Sequence, residues 1–479
     1  MERARPDAIR NYRGAAWLAV GVVCFGAFMG QLDASIVTLT FRPMQLEFGA
    51  PLAGVQWVSL IYLLTLVALL APMGRISDAR GRKLIYSYGF AAFTLASAAC
   101  AVAPSLHLLV AFRLVQAAGA AMLQANSVAL VATSVPESAI RRALGVQAAA
   151  QALGLALGPT LGGILTETAG WRAVYWINVP VGCVAVVASR YLLPRTRQFC
   201  PGGHFDWPGT ALLGLATTCL LLALSAAGGL SMPGWAGAGL AVMAVVAAAG
   251  FAVRERSARF PLVPHAFLRS WRLAVALAGA LCGYLMLFGP LVLIPQVLAA
   301  PGGEVEVGLL LSALPLGFGL AALGADAVLP RGLDNRYRGV IGGCISTIPL
   351  GMLAFMPVPD TWLVLLLAVA GVGLGVFVPA NNTVIMRSAT PASAAALGGL
   401  VNMARGIGTT LGIALITLAV HASAGSAAAG PPVTHGARLA AVVLAVAGAA
   451  ATLTALAWRT ASGRDGSVPA REEAARAVS

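Results

Sequence analysis

The sequence predicts an all-α membrane protein with fourteen spans, and three observations predict it. Only 10% of the 479 residues are charged and 59% are hydrophobic, whereas a soluble domain carries roughly 25% charged residues to wet its surface. The apolar residues gather in runs near the length of about 20 that a membrane helix needs. The basic residues gather on alternate connections, as the positive-inside rule requires. This balance excludes an ordinary soluble enzyme, a disordered scaffold and a nucleic-acid binder.

Taken in order, the apolar runs between charged or Pro/Gly-rich breaks are 17–39, 54–73, 84–103, 106–133, 142–167, 172–193, 208–228, 235–253, 271–298, 306–329, 337–357, 361–386, 394–420 and 437–458. Asp33 interrupts the first run and no small-residue cleavage site ends it, so it reads as a span rather than a signal peptide. The seventh and eighth runs are joined by the short Gly229–Gly234 turn, and the split near Pro359 separates the eleventh from the twelfth. The longest basic connection, Arg254–Arg272, follows the eighth. Six spans, a two-span insert and six more spans are therefore expected. Residues 1–16 form an N-terminal segment, 17–193 the first six-helix bundle, 208–253 the insert, 271–458 the second six-helix bundle and 459–479 a disordered tail.

The net charge of +14 is a topology signal. With the N-terminus in the cytoplasm, 26 of the 31 Lys and Arg residues fall on cytoplasmic segments or inner span ends. Arg42, Arg172 and Arg438 fall outside, and Arg113 and Arg405 fall within spans. An even span number puts the arginines of both termini on the same side, so both termini are expected in the cytoplasm of a multi-pass inner (plasma) membrane protein. The seven cysteines are scattered without metal or disulfide spacing. No metal site, cofactor or nucleophile/base pair is expected, and so no enzyme.

A charge at bilayer depth costs about 2.5–3.5 kcal/mol on insertion scales. Asp33 lies about six residues before the outer end of span 1, and Arg113 about seven residues after the outer start of span 4. Both then sit roughly 9–10 Å below the outer boundary. Opposite charges at matching depth suggest one shared polar cavity. The plainer alternative is a static ion pair that only sets helix packing. The functional reading is a proton site at Asp33, with Arg113 favouring release of the proton. Arg405, near mid-membrane in span 13, either bonds helix carbonyls or attracts an anionic group of a substrate. Further polar residues in the spans are candidates for lining a cavity: Gln31, Gln56, Tyr62, Gln116, Gln124, Asn126, Gln147, Gln151, Tyr284, Gln296, Asn381, Asn382 and Asn402. For each, an interhelical hydrogen bond is the competing explanation.

Seven segments carry a family resemblance. The segment Gly74-Arg75-Ile76-Ser77-Asp78-Ala79-Arg80-Gly81-Arg82-Lys83 after span 2 resembles the signature loop of the major facilitator superfamily. Its glycines permit a tight turn, and Asp78 and Arg82 can bond helix ends. The resemblance implies that Gly74, Asp78, Gly81 and Arg82 form a latch made and broken during turnover, although Ala79 stands where a base is usual. Arg113-Leu114-Val115-Gln116 is similar to the family's span-4 motif associated with proton coupling. Gly154, Gly158, Pro159, Gly162 and Gly163 in span 5 resemble the motif of the antiport branches. There the fourfold glycine spacing makes one flat face and the proline a kink. Leu32-Asp33, Trp171–Gly182, Phe205–Gly209 and Asn402-x-x-Arg405 are similar to segments of the fourteen-span drug/proton antiporters.

The resemblance implies a major facilitator fold of two six-helix bundles plus a two-helix insert, acting by alternating access. It implies proton-coupled efflux of a drug, antibiotic or other amphipathic small molecule, driven by the proton gradient without a cofactor. With Asp33 as the one clear membrane acid, a mostly apolar compound fits better than a multivalent cation. The expected partners are that substrate, protons and the lipid bilayer, with the chain a monomer. The alternative is a proton-coupled importer or facilitator of a small organic solute, which the span-5 pattern disfavours.

Overall fold

The computed structural model describes residues 14–196, 206–227, 232–258, 270–298, 304–330, 332–355, 359–389, 394–422 and 432–458, with positions 6, 9 and 12. The expected tail 459–479 and most of 1–16 lie outside the described residues. Among the described residues the secondary structure is helical, without strands. The long helices are α1 Ala15–Ile36, α2 Leu52–Arg80, α3 Arg82–Ala101, α4 Leu106–Ser134, α5 Ile140–Ala169, α6 Asn178–Leu192 and α7 Trp207–Ala227. They continue with α8 Gly234–Ser257, α9 Trp271–Leu298, α10 Glu304–Val328, α11 Asn335–Met352, α12 Asp360–Arg387, α13 Ala394–Ala422 and α14 Pro432–Leu456.

Thirteen stretches among the described residues are long and apolar enough to cross a membrane, and α5 makes up to fourteen. With the 3-10 turn Glu137–Ala139 before it, α5 bends by 42° between Glu137–Gly158 and Leu161–Ala169. The break falls at Pro159, which has no N–H to give the helix ladder. The sixth span combines the short helix Ala173–Trp176 with α6.

The helices pack as two halves with the same internal plan. In the first, α1 packs on α5, α2 on α4, α3 on α4 and α6. Eight helices later the pattern returns: α9 on α13, α10 on α12, α11 on α12 and α14. Each half has its own apolar core, around Tyr86, Phe90 and Phe93 in the first and Phe318, Leu367 and Phe377 in the second. The halves meet along two seams related by the same repeat, α2 with α13 and α5 with α10. The hairpin α7–α8 leans through α7 on α2 and α13, outside the first seam.

Three sequence expectations are corrected. The first span ends at Ile36 rather than 39, where a 3-10 turn, Val37–Thr40, leads into the short helix Phe41–Phe48. The second apolar run ends at 73, but its helix runs on to Arg80. Its 29 residues reach about 43 Å, well beyond a hydrocarbon core of about 30 Å. The segment 74–83 is therefore mostly helix, and the chain reverses only at Gly81, whose φ of 112° is open to glycine.

Candidate functional site

We call the end of the bundle where α1 begins and α2 ends the lower end, and the opposite end the upper. A cavity of about 790 Å³ lies between the halves. Its lining comes from α1, α2, α4 and α5 of one half and α9, α10 and α13 of the other. It runs from mid-helix residues such as Gln124, Tyr284 and Asn402 to Pro295 and Val307, which lie towards the upper ends of α9 and α10.

Below the cavity the halves close on each other. Asp78, fully buried near the end of α2, accepts hydrogen bonds from the backbone N–H groups of Ala395 (3.1 Å) and Ala396 (2.7 Å). These N–H groups open α13, where the helix dipole favours a carboxylate. Arg82 completes the cluster, donating to Asp78 through Nε (3.0 Å) and Nη2 (2.7 Å). The approach is close because of Gly74: a Cβ there would lie 2.5 Å from the carbonyl oxygen of Ala395. Asn402 of α13 also binds the first half, donating to the Gln124 carbonyl of α4 at 2.7 Å. On the second seam, Asp326 of α10 accepts from Arg141 of α5 (2.7 Å) and Arg338 of α11 (2.9 Å). Asp78→Ala is expected to free the first turn of α13. Loss of charge-assisted bonds should make the amides of Ala395 and Ala396 exchange with deuterium about ten- to a hundredfold faster, and unchanged exchange would show that the contact does not hold the seam.

Asp33 and Arg113 meet as the depth argument required, but not in the cavity. Asp33 is 0% exposed and Arg113 1%. Arg113 Nη1 donates to Asp33 Oδ2 at 2.6 Å, while Gln116 Nε2 (3.0 Å) and Asn178 Nδ2 (3.2 Å) donate to Oδ1. Arg113 also donates through Nε to the Val58 carbonyl at 3.1 Å and through Nη1 to Gln116 Oε1 at 2.7 Å. Its guanidinium lies over the Tyr62 ring, 4.1 Å from the centroid. Gln116 donates on to Ser97 at 2.8 Å. The expected shared polar cavity is thus a sealed network inside the first half. The cause is helix register: Gln31, Ala34 and Ser35 of α1 line the cavity, and Asp33 points away from it towards α4 and α6.

The cavity candidates divide accordingly. Gln31, Gln124, Gln151, Tyr284, Asn402 and Arg405 line it; Gln56, Tyr62, Gln116, Asn126, Gln147, Gln296, Asn381 and Asn382 do not. Tyr62 and Gln116 belong to the Asp33 network. Asn126 donates to Ser77 Oγ and the Met122 carbonyl, both at 2.8 Å, and Asn381 donates to the Ala276 carbonyl at 3.0 Å. Gln147 and Asn382 are buried between helices, and Gln56 and Gln296 are half-buried away from the lining. Polarity in a span signals either use, and only the direction of the side chain separates them.

Of the span-5 glycines, Gly154 and Gly158 face α1. A Cβ at Gly154 would meet the Phe28 carbonyl and the Leu32 N–H, and one at Gly158 the Ser35 side chain and the Ile36 N–H. Gly162 is buried, whereas Gly163 has open space around its Cβ position and takes no part in that packing.

Several residues were missed. Asn178, Ser97 and Tyr175 surround the ion pair, and of these Asn178 alone carried a signal, as an amide in an apolar run. Ser35, Ser59, Phe288, Thr409 and Thr410 line the cavity. Ala395 and Ala396 act through backbone N–H groups, which leave no mark in side-chain chemistry. At the upper end, Glu47 pairs with Arg172 at 2.6 Å and accepts from Trp171 Nε1 at 2.7 Å. The Arg172 bond holds the Glu47 carboxyl below the ordinary carboxylate range.

The comparisons with known proteins give the family and the fold. The family model of the Major Facilitator Superfamily matches residues 23–413. A methylenomycin A resistance protein of Bacillus subtilis (strain 168) is 31% identical over 425 residues, covering 84% of this chain and 87% of its own. A tetracenomycin C resistance and export protein of Streptomyces glaucescens is 31% identical over 420 residues, covering 84% and 76%. The riboflavin transporter RibZ of Clostridioides difficile (strain 630) is 26% identical over 408 residues, covering 84% and 87%. Among solved structures, the human organic anion transporter MFSD10 (TETRAN) superposes with a TM-score of 0.65 at 16% identity, over 92% of this chain and 99% of that one.

Proposed function

The chain belongs to the Major Facilitator Superfamily and is a membrane transporter, and from that premise we propose that it is a proton-coupled antiporter exporting an amphipathic small molecule. Its lower end faces the cytoplasm of the plasma membrane, together with both termini. The observation that carries this reading is the relation of α1 to both sites. Gln31 and Ser35 line the cavity, while Asp33, between them in sequence, accepts three hydrogen bonds from Arg113, Gln116 and Asn178. Protonating Asp33 removes its charge and the charge-assisted bond from Arg113. That frees the α1–α4 contact and lets α1 shift the cavity wall that it shares. The cavity above a closed lower seam corresponds to the outward-facing state. The resistance and export relatives support export in direction and kind of cargo.

Energetically one proton suffices for useful work. It contributes about 1.4 kcal/mol per pH unit and about 2.3 kcal/mol per 100 mV of membrane potential. A second reading, uptake of a small organic solute, draws support from the riboflavin transporter relative. Everted membrane vesicles separate the two. Under export, substrate addition to energised vesicles carrying the protein releases protons from the lumen and accumulates substrate there; substrate leaving the lumen with protons would favour uptake. The substrate for that assay comes from a drug-susceptibility panel in a pump-deficient host with and without the gene. Failure to widen resistance to any compound in the panel would count against efflux.

A further inference from the structure

The cavity wall is largely apolar, yet it contains a charge that no described carboxylate pairs with. Among the described lining residues Arg405 is the one charged side chain, and no described carboxylate pairs with it. It is 4% exposed. Its Nη1 donates to Asn402 Oδ1 at 3.0 Å, and its buried Nε has no hydrogen-bond partner. A guanidinium offers five N–H donors in a planar fork that matches a carboxylate. Burying it without a counter-charge is costly, and an incoming anion relieves that cost.

The surroundings narrow the ligand further. The guanidinium lies over the Tyr284 ring, 5.0 Å from the centroid. Tyr284 is stacked on Phe288 with the rings 21° from parallel and their centroids 6.3 Å apart. Its hydroxyl donates to Gln151 Oε1 across the cavity at 3.2 Å. A charged fork thus stands next to a pair of aromatic faces, with apolar wall beyond. Arg113 is paired with Asp33, whereas no described carboxylate pairs with Arg405.

We propose that Arg405 is the anchor of an anion subsite, and that the substrate class is an amphipathic organic anion: a planar unsaturated ring system carrying a carboxylate or comparable acid group. The ring lies along Tyr284 and Phe288, and the acid group takes the free donors of Arg405. The proposal rests on the cavity being the transport site and gives that site a ligand chemistry.

The test is equilibrium binding to the full chain in nanodiscs of zwitterionic lipid at neutral pH. The probes are 9-anthracenecarboxylate, which is anionic, and its uncharged carboxamide. The wild-type chain is expected to prefer the carboxylate by about ten- to a hundredfold, the worth of charge-assisted hydrogen bonds in a desolvated site. Arg405→Gln should bring that ratio near one with little change for the carboxamide. Arg405→Lys, which keeps the charge and loses the fork, should restore most of the preference. Equal wild-type affinities, no saturable carboxylate binding, or an undiminished ratio in Arg405→Gln would each overturn the assignment. Binding is read without a proton gradient, so a failure of coupling or of export leaves this outcome untouched, and the reverse also holds.

Discussion

Asp33→Asn is expected to abolish uphill export while leaving the protein folded in the membrane. The asparagine keeps an acceptor for Gln116 and Asn178 but cannot cycle between charged and neutral forms. For one proton exchanged per substrate, two pH units sustain an accumulation of about a hundredfold. In reconstituted vesicles the variant should fall from that ratio to about one, because only downhill movement remains. The substitution also leaves Arg113 buried without its counter-charge, and breaking such a pair costs about 3–5 kcal/mol. A lower unfolding temperature is therefore expected alongside the loss of coupling, and monodisperse elution in detergent checks that the variant is intact. Wild-type accumulation by this variant would leave Asp33–Arg113 as a static packing pair.

Gly158→Leu is the second large effect. A side chain at this position runs into Ser35 and towards the backbone of Ile36, so α1 must move away from α5. Overpacking of this kind costs about 1–3 kcal/mol, enough to change the balance between two conformations by roughly ten- to a hundredfold. Transport should fall by a similar factor with the protein still in the membrane. The neighbouring glycines give an internal scale. Alanine at Gly154 meets backbone atoms, the Phe28 carbonyl oxygen at 2.5 Å and the Leu32 nitrogen at 3.1 Å, which no rotamer change can relieve. Alanine at Gly163 meets nothing within 4 Å. The expected order of impairment is Gly158→Leu, then Gly154→Ala, with Gly163→Ala near wild type in initial transport rate. Equal rates across the three would make the glycine face of α5 incidental.

These two sites also show where the primary structure is legible. Asp33 and Arg113 could be paired from their spans and depths, because a buried charge is expensive enough to need a reason and a counter-charge at the same depth supplies it. Their separation from the cavity could not be read. Residues 31 and 35 share one face of a helix and 33 lies on the opposite side, and which face meets the cavity depends on the rotation of α1 against α4 and α5. The same holds for Gln116 and Gln124, which share α4 yet serve the ion pair and the cavity. For Arg405 the sequence leaves two readings open, because its neighbours Asn402 and Tyr284 are set by packing between helices.

The amino-acid sequence by itself determined the all-helical membrane plan, of which thirteen to fourteen spans are seen among the described residues. Lipid cannot satisfy backbone polar groups, so every apolar run of sufficient length becomes a helix whatever its neighbours are. Only the tertiary structure decided that the seams close at the Asp78 end and that the Asp33 network is sealed. It also decided that two consecutive N–H groups of α13 receive Asp78. Those facts depend on close approach between helices distant in sequence. Small residues permit such approach without specifying its partner, and backbone donors take part in it without a side chain to announce them.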